Sequence, residues 1–429
     1  PGKKGDIIAW SGNTGSSAGP HLHSEIRNTK TEQTINPLIV GFKINDTLKP
    51  LINGFYIYKI GDAPFSEKTK KQYFQTSGSN GIYSINNVNV ISVAGKIGFG
   101  IMAYDQQNNN GNKNGFFSTT ILLDGKKIFE TVIDQFYFDH TRSVNAFIDY
   151  PAKLLQKRTI QKGFASPGAK TSFYRDMINY GVIELNDNAV HDVSYILKDA
   201  NDNTSTLSFK IKNNPNLGIE KNAPVGPMFN YLTDNTIDQS DIKAFFPKGI
   251  FYDDVDFQFA VHPKSGNALS KIYELHNRYT PVHQNWSLQI KVDEELMNMK
   301  DKLVVVNEFG SSQGGEYSGG FIKASPRTLG KFYLKADQTA PTIVPVNIKE
   351  SANMSKQSRI LFRISDNLSG IKSFNLYIDN DWRLAEYDIR NGHLWHTFDG
   401  RTGFGKHELK LVLTDMKNNS KTYQAIFYR

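Results

Sequence analysis

Cysteine is absent from the sequence, which excludes a disulfide framework, a thiol nucleophile, a cysteine zinc knuckle and an iron–sulfur site. Any metal must be held by imidazole and carboxylate. The absence assigns no compartment, because exported proteins can also rely on core packing alone. Long apolar runs are missing too: nothing approaches the roughly 18 residues of a membrane span, so none is expected. Nor is charge of one sign concentrated anywhere. The 50 basic and 42 acidic residues leave +8 over 429 positions, without the basic tract that a nucleic-acid partner would need. That mild excess suits an anionic polymer such as a bacterial wall, and equally a plain solvated exterior. The first residue is Pro1 rather than methionine, so a signal peptide is not visible. Nothing in the composition sets an oligomeric state.

What is present is alternation. Phe55-Tyr56-Ile57-Tyr58, Ile97-Gly98-Phe99-Gly100-Ile101, Val255-Asp256-Phe257-Gln258-Phe259 and Leu409-Lys410-Leu411-Val412-Leu413 read as strands. Asn, Gly and Asp cluster between such runs, and helical periodicity is confined to short stretches such as residues 294–299. The expected class is all-β. At roughly 150 residues per domain, several modules are expected.

Self-similarity divides the chain. Asp46, Pro50 and Ile52 recur at the same offsets as Asp337, Pro341 and Ile343, and His191, Asp199, Asn203 and Thr204 as His407, Asp415, Asn419 and Ser420. Between these ends, Asp105 parallels Asp366 and Asp124 parallels Asp379. From the opening Asp to the His there are 145 residues in one copy and 70 in the other, which places inserts before Ala94 and between Glu130 and Gly181 of the first. The shorter copy suits a seven-stranded sandwich. The expected division is residues 1–42 as the end of a small β-sheet domain, 43–214 as an immunoglobulin-like sandwich with inserts, 215–336 as another sandwich and 337–429 as a second immunoglobulin-like sandwich. The shared ending, strand-Asp-x-x-x-Asn-Ser/Thr-strand, resembles the closing hairpin of bacterial immunoglobulin-like domains. Its Asp and Asn read as turn caps, and His191 and His407 as structural.

The first forty residues have another character. Gly5-Asp6-Ile7-Ile8 is followed by Ser11-Gly12-Asn13-Thr14-Gly15-Ser16-Ser17-Ala18-Gly19-Pro20, then by His21-Leu22-His23-Ser24-Glu25-Ile26. The glycine-rich stretch is no phosphate loop, since no Gly-Lys-Ser/Thr follows. In a strand, His21 and His23 would project from one face about 7 Å apart. One imidazole could then ligate zinc while the other reaches the metal-bound water. Together with Ile35-Asn36-Pro37-Leu38, this segment resembles the C-terminal part of a lysostaphin-type (LytM-like) zinc metalloendopeptidase domain, over roughly residues 1–40. The resemblance implies that His23 is a Zn²⁺ ligand, that His21 is the catalytic histidine, and that peptidoglycan peptides are the substrate. Ser24 stands where that family has Phe.

The family also needs an upstream His-x-x-x-Asp pair of ligands and a further upstream histidine, and no His-x-x-x-Asp occurs downstream. His393-Leu394-Trp395-His396 lies in a β-module and reads as structural. The expectation is therefore the C-terminal portion of a cell-envelope peptidoglycan hydrolase, periplasmic or secreted, inactive as residues 1–429 alone, with sandwich modules that position the catalytic domain. The alternative is a non-catalytic envelope binding or adhesion protein with a degenerate peptidase domain.

Overall fold

In the strand Lys96–Tyr104, Ile97, Phe99 and Ile101 enter one apolar core while Gly98 and Gly100 face the other way. The glycines let large groups close in: a Cβ on Gly100 would lie 2.7 Å from the Tyr58 ring, and one on Gly98 2.5 Å from Phe164. This sheet is therefore buried on both faces. Inward lies the main core of the module; outward lies a second cluster of Tyr56, Tyr58, Ala152, Ile160 and Phe164.

The computed structural model describes residues 3, 5–7, 23–42, 44–218 and 224–429. The protein is all-β. Three successive apolar cores, the first from Ile52 to Ile211, the second from Phe229 to Leu334 and the third from Ile348 to Phe427, each lie between two facing sheets. In the first module the strands Ser118–Leu123, Val190–Lys198 and Thr204–Asn213 form the centre of one sheet, and Leu51–Lys59 and Lys96–Tyr104 the centre of the other. The inserts are folded. Residues before Ala94 supply Lys71–Phe74, Thr76–Ser79, Ile82–Ile85 and Ile91–Val93. Those after Glu130 supply the helix Tyr150–Gln156 and, with Ala152, Ile160 and Phe164, most of the second apolar cluster. The third module pairs a four-stranded with a five-stranded sheet, more than the expected seven because short edge strands such as Ala352–Asn353 and Asp381–Arg383 pair at the rims.

The repeated residues occupy equivalent hairpins. Val190–Lys198 pairs with Thr204–Asn213, and Lys406–Asp415 with Ser420–Tyr428. Asp199 Oδ1 accepts from the amides of Asn201 and Asn203, each at 2.8 Å; Asp415 Oδ1 accepts from those of Lys417 and Asn419 at the same distance. Asn203 Nδ2 then donates to the Asp46 carbonyl at 3.0 Å, as Asn419 Nδ2 does to that of Asp337. Each cap thus ties the last hairpin of a module to its first residues. His191 Nδ1 lies 2.6 Å from Asp124 and His407 Nδ1 2.6 Å from Asp379, which fastens the hairpin to a neighbouring turn.

Two local expectations differ from the structure. The run Val255 to Phe259 breaks into Val255–Asp256 and Phe259–His262, because Phe257 turns fully into the core to stack on Phe229. The helical stretch near residue 294 is a 3₁₀ helix, Glu294–Lys302.

Candidate functional site

His21 lies outside the described residues, and so does its pairing with His23. His23 is 74% exposed, and its Nε2 lies 3.0 Å from Glu25 Oε1. Glu25 also accepts from Arg27 at 2.8 Å, and the bonds from His23 and Arg27 hold its carboxyl below the usual range. The strand expected across His21 to Ile26 is described only as Ile26–Arg27, where the backbone finds a partner in Thr34–Ile35. A hydrolytic zinc site needs three protein ligands and an open position. Among the described residues His23 has one carboxylate neighbour, so these side chains do not make up such a centre.

This short hairpin is sewn to the first module. Thr34–Ile35 pairs on its other side with Gln135–Phe136 from the second insert. The Asn36 amide donates to the Asp134 carbonyl at 2.7 Å, and the Arg27 guanidinium lies 4.9 Å from the centre of the Phe138 ring. Asn36 then caps the 3₁₀ turn Pro37–Ile39 through its side chain.

A cleft of about 650 Å³ opens between the first and second modules. Its floor includes Lys162, 1% exposed, on the short strand Gln161–Lys162 that edges the glycine-bearing sheet. The ammonium sits 4.5 Å from the centre of the Phe65 ring and 4.8 Å from that of Phe164, with Ser166 Oγ 3.4 Å away. Burial pulls its pKa down to about 8 against the pull of Asp149 and Asp253. Asp253, on the cleft wall, is pushed up to about 6 by burial. Asp149 lies beneath, accepting from the Tyr58 hydroxyl at 2.8 Å, from Lys71 and from the Ala152 amide as N-cap of the helix Tyr150–Gln156.

On the opposite wall His276 adopts a left-handed backbone, φ 57°, a conformation that costs a non-glycine residue about 1–2 kcal/mol and concentrates at functional positions. Its Nε2 lies 2.9 Å from Thr280 Oγ1, and burial lowers its pKa to about 4, so the ring is neutral at pH 7. Asn277 donates across the modules to Glu67 at 3.0 Å, and Arg142 to the Val282 carbonyl at 3.2 Å. The cleft can thus present an ammonium, carboxylates and aromatic faces to one small ligand.

Sequence reasoning missed this site because its residues are scattered and each is ordinary alone. One local signal was available: Asp149-Tyr150-Pro151 is an N-cap followed by a first-turn proline, which marks the helix that builds one wall.

Residues 226–337 match the Zu5-like domain family. No curated protein matches the chain in sequence. Among solved structures, the fibronectin(III)-like modules of Clostridium thermocellum CbhA are 10% identical, covering 34% of this chain and 85% of theirs, with a TM-score of 0.18. Extracellular domains 3–5 of Drosophila OTK are 8% identical, covering 80% and 94%, at 0.15. A bacterial ice-binding adhesin is 8% identical, covering 80% and 93%, at 0.16. Likenesses this slight bear no functional weight.

Proposed function

We propose that the three sandwiches are the scaffold of a cell-envelope protein and hold a lysostaphin-type peptidase domain, of which residues 1–42 are the end, against peptidoglycan. The observation that carries this reading is the seam in which Thr34–Ile35 is sandwiched between Ile26–Arg27 and Gln135–Phe136. Backbone pairing fixes direction as well as position, so whatever β-domain continues from Ile26 inherits the orientation of the first module. In this reading His23 is one Zn²⁺ ligand and His21 the catalytic histidine, and residues 1–429 alone do not hydrolyse.

The test uses the full natural gene product and compares it with residues 1–429. The full product should bind one zinc and release peptides from purified peptidoglycan, and His23→Ala should remove the metal. Phe136→Pro, which deletes a backbone donor in the seam, should slow cleavage of intact sacculi while sparing a short soluble peptide. A full product without zinc sinks the peptidase reading. Equal loss on both substrates sinks the scaffold role.

A binding or adhesion role is the second reading, favoured by the cleft between the first two modules with its buried ammonium and strained histidine.

A further inference from the structure

We infer that Asp46, Asp105 and Asp199 form a calcium site at one end of the first module. The three carboxylates come from distant parts of the chain: the segment before Leu51–Lys59, the residue after Lys96–Tyr104 and the residue after Val190–Lys198. The fold brings one oxygen of each within 4.8 Å of the others. Asp105 is 5% exposed and Asp199 4%, while Asp46 is half-buried.

Hydrogen bonding accounts for part of the cluster only. Asp199 Oδ1 accepts from the amides of Asn201 and Asn203 while its Oδ2 accepts only from Asn203 Nδ2, which leaves Oδ2 an acceptor site, and Asp46 Oδ1 accepts from the Leu48 amide at 3.0 Å. Asp105 Oδ1 is buried with no hydrogen-bond partner. Such an atom is rare in a native protein and forfeits its solvation without return. The Asp199 and Asp46 carboxylates lie beside it. A proton would relieve the repulsion between the carboxylates but would leave the cluster's remaining charge in place. A cation between them relieves the repulsion and gives the orphaned oxygen a partner. The donors are all carboxylate oxygens, which suits a hard, loosely coordinated ion such as Ca²⁺ over zinc.

The third module supplies a comparison within the same chain. Asp337, Asp366 and Asp415 also approach within 4.8 Å. There, however, the residue two beyond the last Asp is Lys417 where the first module has Asn201. The Lys417 ammonium, held on the Gly315 carbonyl, is drawn first by Asp301 and then by Asp337 and Asp415 of the cluster. Asp366 is half-buried, and its Oδ1 likewise has no hydrogen-bond partner. What sets the clusters apart is the ammonium beside the third module's one, which has no counterpart at the first among the described residues.

Chelator-treated protein titrated with CaCl₂ by calorimetry should take up one ion per chain, and its melting temperature should rise with calcium. Asp105→Asn should weaken binding at least about ten-fold, since affinity follows ligand charge, and Asp366→Asn should leave it unchanged. Should Asp105→Asn fold poorly, Asp46→Asn, at the half-exposed edge, should give the same loss. No uptake at millimolar calcium overturns the site, as does uptake indifferent to both variants. Two ions, one of them lost in Asp105→Asn, uphold the site and overturn the part given to Lys417. Neither result depends on zinc or on peptidase activity.

Discussion

His191 shows how one side chain can make module stability depend on pH. Its two ring nitrogens face Asp124 at 2.6 Å and Asp187 at 2.8 Å, and these bonds raise its pKa above the ordinary value. The same bonds hold both carboxyls low. A histidine whose folded pKa is raised contributes stability in full below its unfolded value of about 6.5, and loses it as pH rises through the folded value. The carboxylates act in the opposite sense, lending stability above about 4 and losing it in acid. The contribution of this cluster should therefore be greatest near pH 5–6. His191→Gln should cost about 1 kcal/mol there, the modest figure reflecting half-exposed partners, and much less at pH 8. Urea midpoints at the two pH values check this, and an equal cost at both would refute the ion-pair account. That Asp124 and Asp379, and His191 and His407, are counterparts was legible in the repeated order of landmarks. That the histidines meet those aspartates was not, because contacts over 67 and 28 residues are made by strand order and leave no local trace.

At the scale of the element, the strand Lys96–Tyr104 shows where pattern reading succeeds and where it stops. Alternation marked it as a strand, with Ile97, Phe99 and Ile101 on one face. The opposite face reads as glycine, normally a weak strand residue. Only the structure shows that the insert carrying Ile160 and Phe164 packs there, against Tyr56 and Tyr58. Gly100→Ala should drive a methyl against Tyr58 and Ile160 and cost about 1–3 kcal/mol through overpacking. Hydrogen exchange should show the loss concentrated in residues 144–165. A uniform loss across the module would mean that the insert is not a separate packing unit. The seam from Ile26 to Phe136 belongs to this scale as well: Ile35-Asn36-Pro37 could be read locally as a strand end and capped turn, but its partner strand lies a hundred residues away.

At the scale of the molecule, the joint between the first two modules holds charge that neither core needs. Lys162 has its pKa depressed to about 8 by burial, so its charged form burdens the folded state at neutral pH. Between pH 8 and about 10.4, the unfolded chain holds a proton that the folded chain has released, so stability rises with pH across that window. Lys162→Met should raise stability at pH 7 by on the order of 3 kcal/mol and abolish the rise, as read from denaturant midpoints at pH 7 and 10. A variant no more stable than the parent at pH 7 would mean that Lys162 is already compensated. Stability given up beside a cleft of this size is the pattern expected of a binding site.

By itself the sequence determined the all-β class, the turn caps Asp199 to Asn203 and Asp415 to Asn419, and the doubled order of landmarks. These rest on interactions between residues a few positions apart, where the side-chain period and the hydrogen bonds of a turn act directly on the local chain. Only the tertiary structure decided that the inserts cover the outer face of a sheet, that residues 26–35 are sewn to the second insert, and that Asp46, Asp105 and Asp199 converge. Each of those depends on which strands become neighbours. That choice is set by burying apolar faces across the whole module, and the polar groups are carried to their meeting points along with the strands that bear them.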